Sequence, residues 1–381
     1  MKRTRIVYVA GSLNLGGTER NILHLATHLD PKRFRAEVWS EYEGEALQGE
    51  LRRLGVPCRS FKSGPSVGRS WPARLVCHNL PFQRKLFRAF RDRPDAIIHA
   101  MGFPMTYYAV LLAGLAGCRR IVFAVQDWDV WKTSWRYRAL DRLCSCVATK
   151  IVADGEGARR LAESAQGMRP DRMVMIYDGV NTEELTPKRS VADVRRELGL
   201  APDRLTVGVI ARLDTAKKGQ DVFLDALPAA NESTPDAQFV LVGDGPDREP
   251  LETRAAMLPP AGRPRFAGFR TDLAEVLNAV DVLVIPSRWE SVPKILLEAM
   301  WLKKCVVATR VGDIEEILDG TCGLLVPPDN PSALADAIGR ACADAERRTR
   351  LGAAAHRRIL DRGLTLDASI EKYEELYEGM A

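Results

Sequence analysis

Eight cysteines are scattered through the 381 residues without one Cys-x-x-Cys pair, which argues against a zinc ribbon and a thioredoxin-type redox site. Cys58, Cys77, Cys118, Cys144, Cys146, Cys305, Cys322 and Cys342 mostly neighbour apolar residues and read as small core hydrophobes. No apolar run approaches the roughly 18–20 residues of a membrane span; the best, 109–116, is far too short. The opening Met1-Lys-Arg-Thr-Arg lacks the apolar stretch and small-residue cleavage site of a secretory leader. The expected compartment is therefore the cytoplasm, where thiols stay reduced. No repeat or low-complexity tract is visible. With 46% hydrophobic and 28% charged residues, disorder, collagen and coiled coil are excluded.

Two nucleotide signatures are missing as well. Gly11-Ser-Leu-Asn-Leu-Gly16-Gly17-Thr lacks the Lys-Ser/Thr of a Walker A loop. Gly243-Asp-Gly245-Pro-Asp-Arg248 puts Arg where the dinucleotide fingerprint needs its third Gly, which disfavours a Rossmann dehydrogenase. Both remain glycine turns able to approach a ligand closely.

What the chain does have is a recurring unit: a short β-branched run, a Gly-rich or polar turn, then a helical pattern. The runs fall at 6–10, 36–40, 96–100, 121–125, 151–153 and 173–176, and again at 205–210, 238–242, 282–286, 305–308 and 323–327. Continuous apolar strands alternating with helices imply α/β architecture with parallel sheets covered on both faces. Two such series imply two doubly wound, Rossmann-like domains. The polar stretch 182–204, with Pro187 and Pro202, reads as the linker. The expected domains are 1–185 and 186–363, with a closing helix over 364–381. Charge divides the same way: residues 1–190 carry 31 Lys and Arg against 19 Asp and Glu, and residues 191–381 carry 24 against 31. In such folds ligands bind beyond the carboxyl ends of strands, so a cleft between the two sheets is the expected active site.

Two strand ends carry the chemistry. After 282–286 comes Ser287-Arg-Trp-Glu290-Ser291-Val292-Pro293-Lys294, continuing to Glu298. Pro293 suits the first turn of a helix, whose start offers free N–H groups and a positive dipole end to a phosphate. Glu298 on that helix could grip a ribose diol, and its plain alternative is a salt bridge. After 205–210 comes Ala211-Arg212-Leu-Asp-Thr-Ala-Lys217-Lys218-Gly219. Arg and Lys just past a strand can clamp a diphosphate, the plain alternative being solvated surface charge.

In this order the segments resemble the retaining glycosyltransferases of family 4, which have the GT-B fold, over nearly the whole chain. The Gly-Gly loop matches Gly16-Gly17. The Arg and Lys-Gly elements match Arg212 and Lys218-Gly219, and the Val-Gly-x-Gly-Pro turn matches 242–246. The Glu-x7-Glu signature matches Glu290 and Glu298, and Tyr373 and Tyr377 lie in the closing helix. The resemblance implies transfer of a sugar from a UDP- or GDP-sugar to a hydroxyl acceptor, with retention and with no metal or other cofactor. Arg212 and Lys218 would neutralise the departing diphosphate and Glu298 would hold the ribose. Glu290 would hold the donor sugar or diphosphate, and backbone near Gly268–Arg270 would meet the base. Lys294 beside Glu290 would help to choose the sugar. A nucleotide-sugar epimerase and a catalytically impaired binding protein of the same fold are the alternatives.

Three departures stand out. Gln126 or Asp127 occupies the place of a His often found near the sugar, so the acceptor-side base is open. One inserted residue makes Lys217 a rival to Lys218. The usual Asn-Gly-Val-Asp reads Asp178-Gly179-Val180-Asn181. The Asp127-Trp128-Asp129 triplet and the His24/His28 pair are discounted as metal sites, the first because a basic clamp serves the diphosphate in this fold, the second for want of a third ligand.

Residues 51–93 carry 11 Lys and Arg against one acid, Asp92, and Phe82, Leu86 and Phe90 recur at helical spacing between Arg84, Lys85, Arg88 and Arg91. An anionic membrane surface over 82–93, suited to a lipid-linked acceptor, competes with an ordinary helix whose stripe faces the core, and the latter is preferred. No nucleic-acid recognition module is present.

Overall fold

A computed structural model describes residues 3–14, 16–61, 80–125 and 134–381. The chain divides into two compact units: 1–178 with 367–381, and 179–366.

In the first unit seven parallel strands are ordered β3-β2-β1-β4-β5-β6-β7: β1 Thr4–Ala10, β2 Phe34–Ser40, β3 Cys58–Ser60, β4 Ile97–Met101, β5 Ile121–Val125, β6 Lys150–Ala153 and β7 Met173–Met175. In β1, residues Ile6 to Ala10 are all buried. This fits a strand paired on both edges, with Ile6 opposite Ala36 in β2 and opposite Ile97 in β4. The aromatic core stacks Trp39 on Phe90, with ring centroids 5.4 Å apart, and sets Phe61 edge-on to both Trp39 and Phe82.

That core decides the basic helix. In Leu80–Arg91 the residues Phe82, Leu86, Ala89 and Phe90 are buried, while Arg84, Lys85, Arg88 and Arg91 are exposed. Its apolar stripe is thus consumed by the core, not presented to a membrane. Among the described residues no helix is long and apolar enough to cross one.

The second unit has six parallel strands ordered β10-β9-β8-β11-β12-β13: β8 Leu205–Ile210, β9 Ala237–Val242, β10 Arg265–Phe266, β11 Val282–Ile285, β12 Cys305–Thr309 and β13 Leu324–Val326. Val207 pairs with Phe239 on one side and Val282 on the other. The chain runs outward from β8 to β10, then returns to the other side of β8 as β11. The strand order therefore reverses between β8 and β11, the position at which an open sheet leaves a crevice for a ligand.

The crossing between units comes at 178/179, ahead of the expected 185/186 boundary. The reason is local: Val180 N–H donates to Leu364 O and Leu366 N–H donates to Val180 O, both at 2.9 Å. Gly179 is needed there, since a Cβ would lie 2.1 Å from Thr365 O. The polar stretch after it is not a free linker. Its helix Val191–Glu197 caps on Ser190, whose Oγ accepts from Asp193 N–H, and Val194, Leu198 and Leu200 pack with Val240 and Val276 of the second unit. The closing helix Leu366–Glu378 returns to the first unit. There Tyr377 OH lies 3.1 Å from Tyr8 OH and 2.7 Å from His99 Nδ1, and Arg33 pairs with Glu374 and Glu378.

Candidate functional site

The loops that leave β8 and β11 emerge side by side at the reversal point of the second sheet. Ala211–Leu213 is first tied to the turn after β9: Ala211 N–H donates to Val242 O and Leu213 N–H to Asp244 O, both at 3.0 Å. The glycines make this approach feasible. A Cβ on Gly243 (φ 140°) would lie 1.9 Å from Ala211 O, and one on Gly245 would lie 2.3 Å from Leu213 O. Asp247, closing the same turn, accepts from Thr215 N–H and Thr215 Oγ1 at 2.6 Å each. These bonds hold its carboxyl below the usual range.

The other side of the β8 loop meets β11. Gly219 adopts φ 64°, and a Cβ there would sit 2.0 Å from Pro286 O. This contact brings the short helix Thr215–Lys218 against Pro286–Glu290. Lys218 Nζ reaches Glu290 Oε1 at 2.5 Å. Ser287 Oγ donates to the same oxygen at 2.8 Å, and Glu290 is only 6% exposed. Among the described residues Oε2 of Glu290 accepts no hydrogen bond. The exposed Arg212 guanidinium has no ion pair or hydrogen bond among the described residues. A cation, a tethered ammonium and a carboxylate with one open oxygen are thus presented around one strand-end pair. Such a set suits an anion bearing hydroxyl groups.

Pro293 is the N-cap (φ −67°, ψ 123°) and the helix itself spans Lys294–Trp301, one residue later than the sequence suggests. Glu298 lies within that helix, and Ser291, Val292, Lys294 and Glu298 are half-buried. Arg270 is committed to a bidentate pair with Asp272, at 2.7 and 2.5 Å, and reaches Glu197 at 3.3 Å. Its guanidinium holds Asp272 low, so what this segment can offer a base is backbone around Gly268. Gly16 and Gly17 belong to the first unit, where Gly16 is the N-cap of the helix Gly17–His28. The preceding loop is pinned by Glu45, which accepts from Ser12 Oγ at 2.7 Å and from Leu13 N–H at 2.5 Å. Gln126, Asp127 and the Asp127-Trp128-Asp129 triplet lie outside the described residues. His28 Nδ1 bonds the carbonyl of His24 at 2.9 Å. Among the described residues no group of three or more His, Cys, Asp or Glu is placed to hold a metal ion.

Three participants escape a reading of the sequence. Ser287 shares the Glu290 oxygen. Gly312 (φ 52°) lies so close that a Cβ would be 1.8 Å from Glu290 O. Arg288, beside Trp289, is only part-exposed and heavily bonded. A glycine just past β12 was an available signal for the second; the others had none.

Comparison with known proteins gives the geometry its context. A family model described as Glycosyltransferase Family 4 matches residues 15–184, and one described as Glycosyl transferases group 1 matches 204–344. The D-inositol 3-phosphate glycosyltransferase of Corynebacterium urealyticum is 32% identical over 368 residues, covering 89% of this chain and 85% of that one. The chain belongs to glycosyltransferase family 4. Another relative of this family 4 glycosyltransferase is the lipopolysaccharide core biosynthesis mannosyltransferase LpsB of Rhizobium meliloti, 29% identical over 303 residues, 76% of this chain and 80% of that one. Its fold matches that of HepE from Anabaena, solved in complex with UDP and glucose, at a TM-score of 0.80 and 23% identity, over 99% of this chain and 100% of that one. The architecture is GT-B, and the enzyme is a glycosyltransferase.

Proposed function

We propose that this enzyme moves a hexosyl group from a nucleotide diphosphate sugar to a hydroxyl acceptor, with retention at the anomeric carbon and without a metal ion. The observation that carries the reading is the Lys218–Glu290 contact at the β8/β11 reversal point, with Arg212 exposed on the same loop. In the reaction the bond from the anomeric carbon to the diphosphate oxygen breaks. The acceptor oxygen bonds to that carbon from the same face, and its proton passes to the departing phosphate. Charge then develops on the diphosphate, where Arg212, Lys218 and the amino end of Lys294–Trp301 stabilise it. Glu290 Oε2 takes a donor hydroxyl, and Glu298 takes the ribose diol. Gln126 and Asp127 serve the acceptor side. Exposed Arg84, Lys85, Arg88 and Arg91 suit an acceptor carried on an anionic lipid surface. HepE, solved with UDP and glucose, supports a nucleoside diphosphate as the leaving group.

The test is a thermal-shift panel of UDP, GDP and ADP and their sugars, followed by transfer assays in EDTA. At least one nucleotide raises the melting midpoint by mass action, Lys218→Ala reduces that shift without abolishing it, and EDTA leaves the transfer rate unchanged. A flat response to the whole panel overturns the donor. Loss of activity in EDTA with recovery on adding Mg²⁺ or Mn²⁺ overturns metal independence.

A further inference from the structure

Arg288 has no place in the scheme above, yet it bonds to several of the loops around Lys218. Its backbone N–H donates to Lys217 O at 2.8 Å. Nη1 donates to Thr215 O, and Nη1 and Nη2 form a two-pronged pair with Asp221 at 2.8 Å each. Nε meets Asp329 Oδ1 at 2.7 Å. Three segments therefore converge on the guanidinium that the β11 exit carries: the turn Thr215–Lys218, the first turn of the helix Gln220–Ser233 and the loop after β13.

Thr215 and Lys217 are the first and third residues of the turn that carries Lys218. Asp247 holds the start of this turn through Thr215 N–H and Oγ1, but a lysine stem has four rotatable bonds. Arg288 adds a second set of constraints, through the Thr215 and Lys217 carbonyls. Because Arg288 is two residues from Glu290, the same strand exit fixes both the carboxylate and the turn that brings Lys218 to it.

We propose that Arg288 is a positioning residue for donor binding and transfer, holding the Thr215–Lys218 turn so that the Lys218 ammonium is preset at Glu290 before the diphosphate arrives. This rests on the donor reading above. Arg288 acts through Lys218, and its planar fork is what the site requires; a lysine offers charge but not the two-pronged, fixed geometry that takes Asp221 from one side while meeting a carbonyl.

A double-mutant cycle on the full chain tests it, with UDP, GDP or ADP as probe, whichever shifts the unmodified protein most. Arg288→Gln weakens nucleotide binding about tenfold and lowers kcat for transfer at least as much, since a misplaced ammonium is felt most where charge develops. The KM for acceptor is unchanged. Arg288→Lys fails to rescue, and it stands in if the Gln variant does not fold. In the Lys218→Ala background Arg288→Gln has no further effect on nucleotide affinity. Additive losses, or full rescue by Lys, overturn the proposal while leaving the donor site intact. If UDP, GDP and ADP and their sugars all fail to bind the unmodified protein, the donor reading falls and takes this one with it.

Discussion

Gly312 and His99 show how far single residues control the fold. At φ 52° Gly312 sits in backbone space that L side chains avoid, and its missing Cβ lets Glu290 O come within contact. Gly312→Ala must therefore push the Glu290 loop. The expected outcome is a loss of about 1–3 kcal/mol in denaturant unfolding, together with loss of transfer. His99 is fully buried among Tyr8, Tyr373 and Tyr377, and burial pushes its pKa down to about 3. The unfolded ring, near its ordinary value, takes a proton that the native ring refuses. Stability from this residue is thus intact above about pH 6.5 and declines as pH falls toward 3. Between pH 7 and 5 the natural protein should lose about 2 kcal/mol more than His99→Gln, read as the difference in unfolding free energy from urea titrations at the two pH values.

Among the elements, the helix Leu80–Arg91 shows what a stripe of aromatics can and cannot reveal. The spacing of Phe82, Leu86 and Phe90 favours a protein core only slightly over a membrane surface. Only Trp39 and Phe61, distant in sequence, decide between them. Phe90→Ala should cost about 3–5 kcal/mol by opening a cavity against Trp39, whereas Arg88→Glu on the exposed face should stay within about 0.5 kcal/mol; chemical denaturation of both variants checks this. The central strands were legible for a simple reason: buried on both faces, they read as unbroken apolar runs. Cys58–Ser60 and Arg265–Phe266 were not, because edge strands of three and two residues carry half-exposed side chains and no such run. At the candidate site, strand-end logic pointed to the loops that carry Lys217, Lys218 and Glu290 and left the choice between the two lysines open. It missed Ser287, Gly312 and Arg288, whose roles exist only once β8, β11 and β12 are neighbours.

At the scale of the whole molecule, the two units differ in charge and in what they are built to hold. The first carries 30 Lys and Arg against 22 Asp and Glu, the second 25 against 28. The lysine and arginine of the candidate diphosphate site thus stand out locally in a unit that is acidic overall. Saturating nucleotide should slow amide hydrogen exchange in 211–219, 243–247 and 286–294, and leave the sheet of the first unit at its unliganded rate. At a hundredfold excess over Kd the gain is about 2.7 kcal/mol. Protection spread evenly over both sheets would contradict a site held by these three loops.

The return of the closing helix has a consequence for how the polypeptide is made. Tyr373 and Tyr377 fill the first unit beside Tyr8 and His99, yet they leave the ribosome only after the entire second unit. The amino-terminal sheet must therefore wait, with part of its interior uncovered, while its neighbour is synthesised and folds. A premature stop codon just before Tyr373 would spare the late-made half and cripple the early-made one.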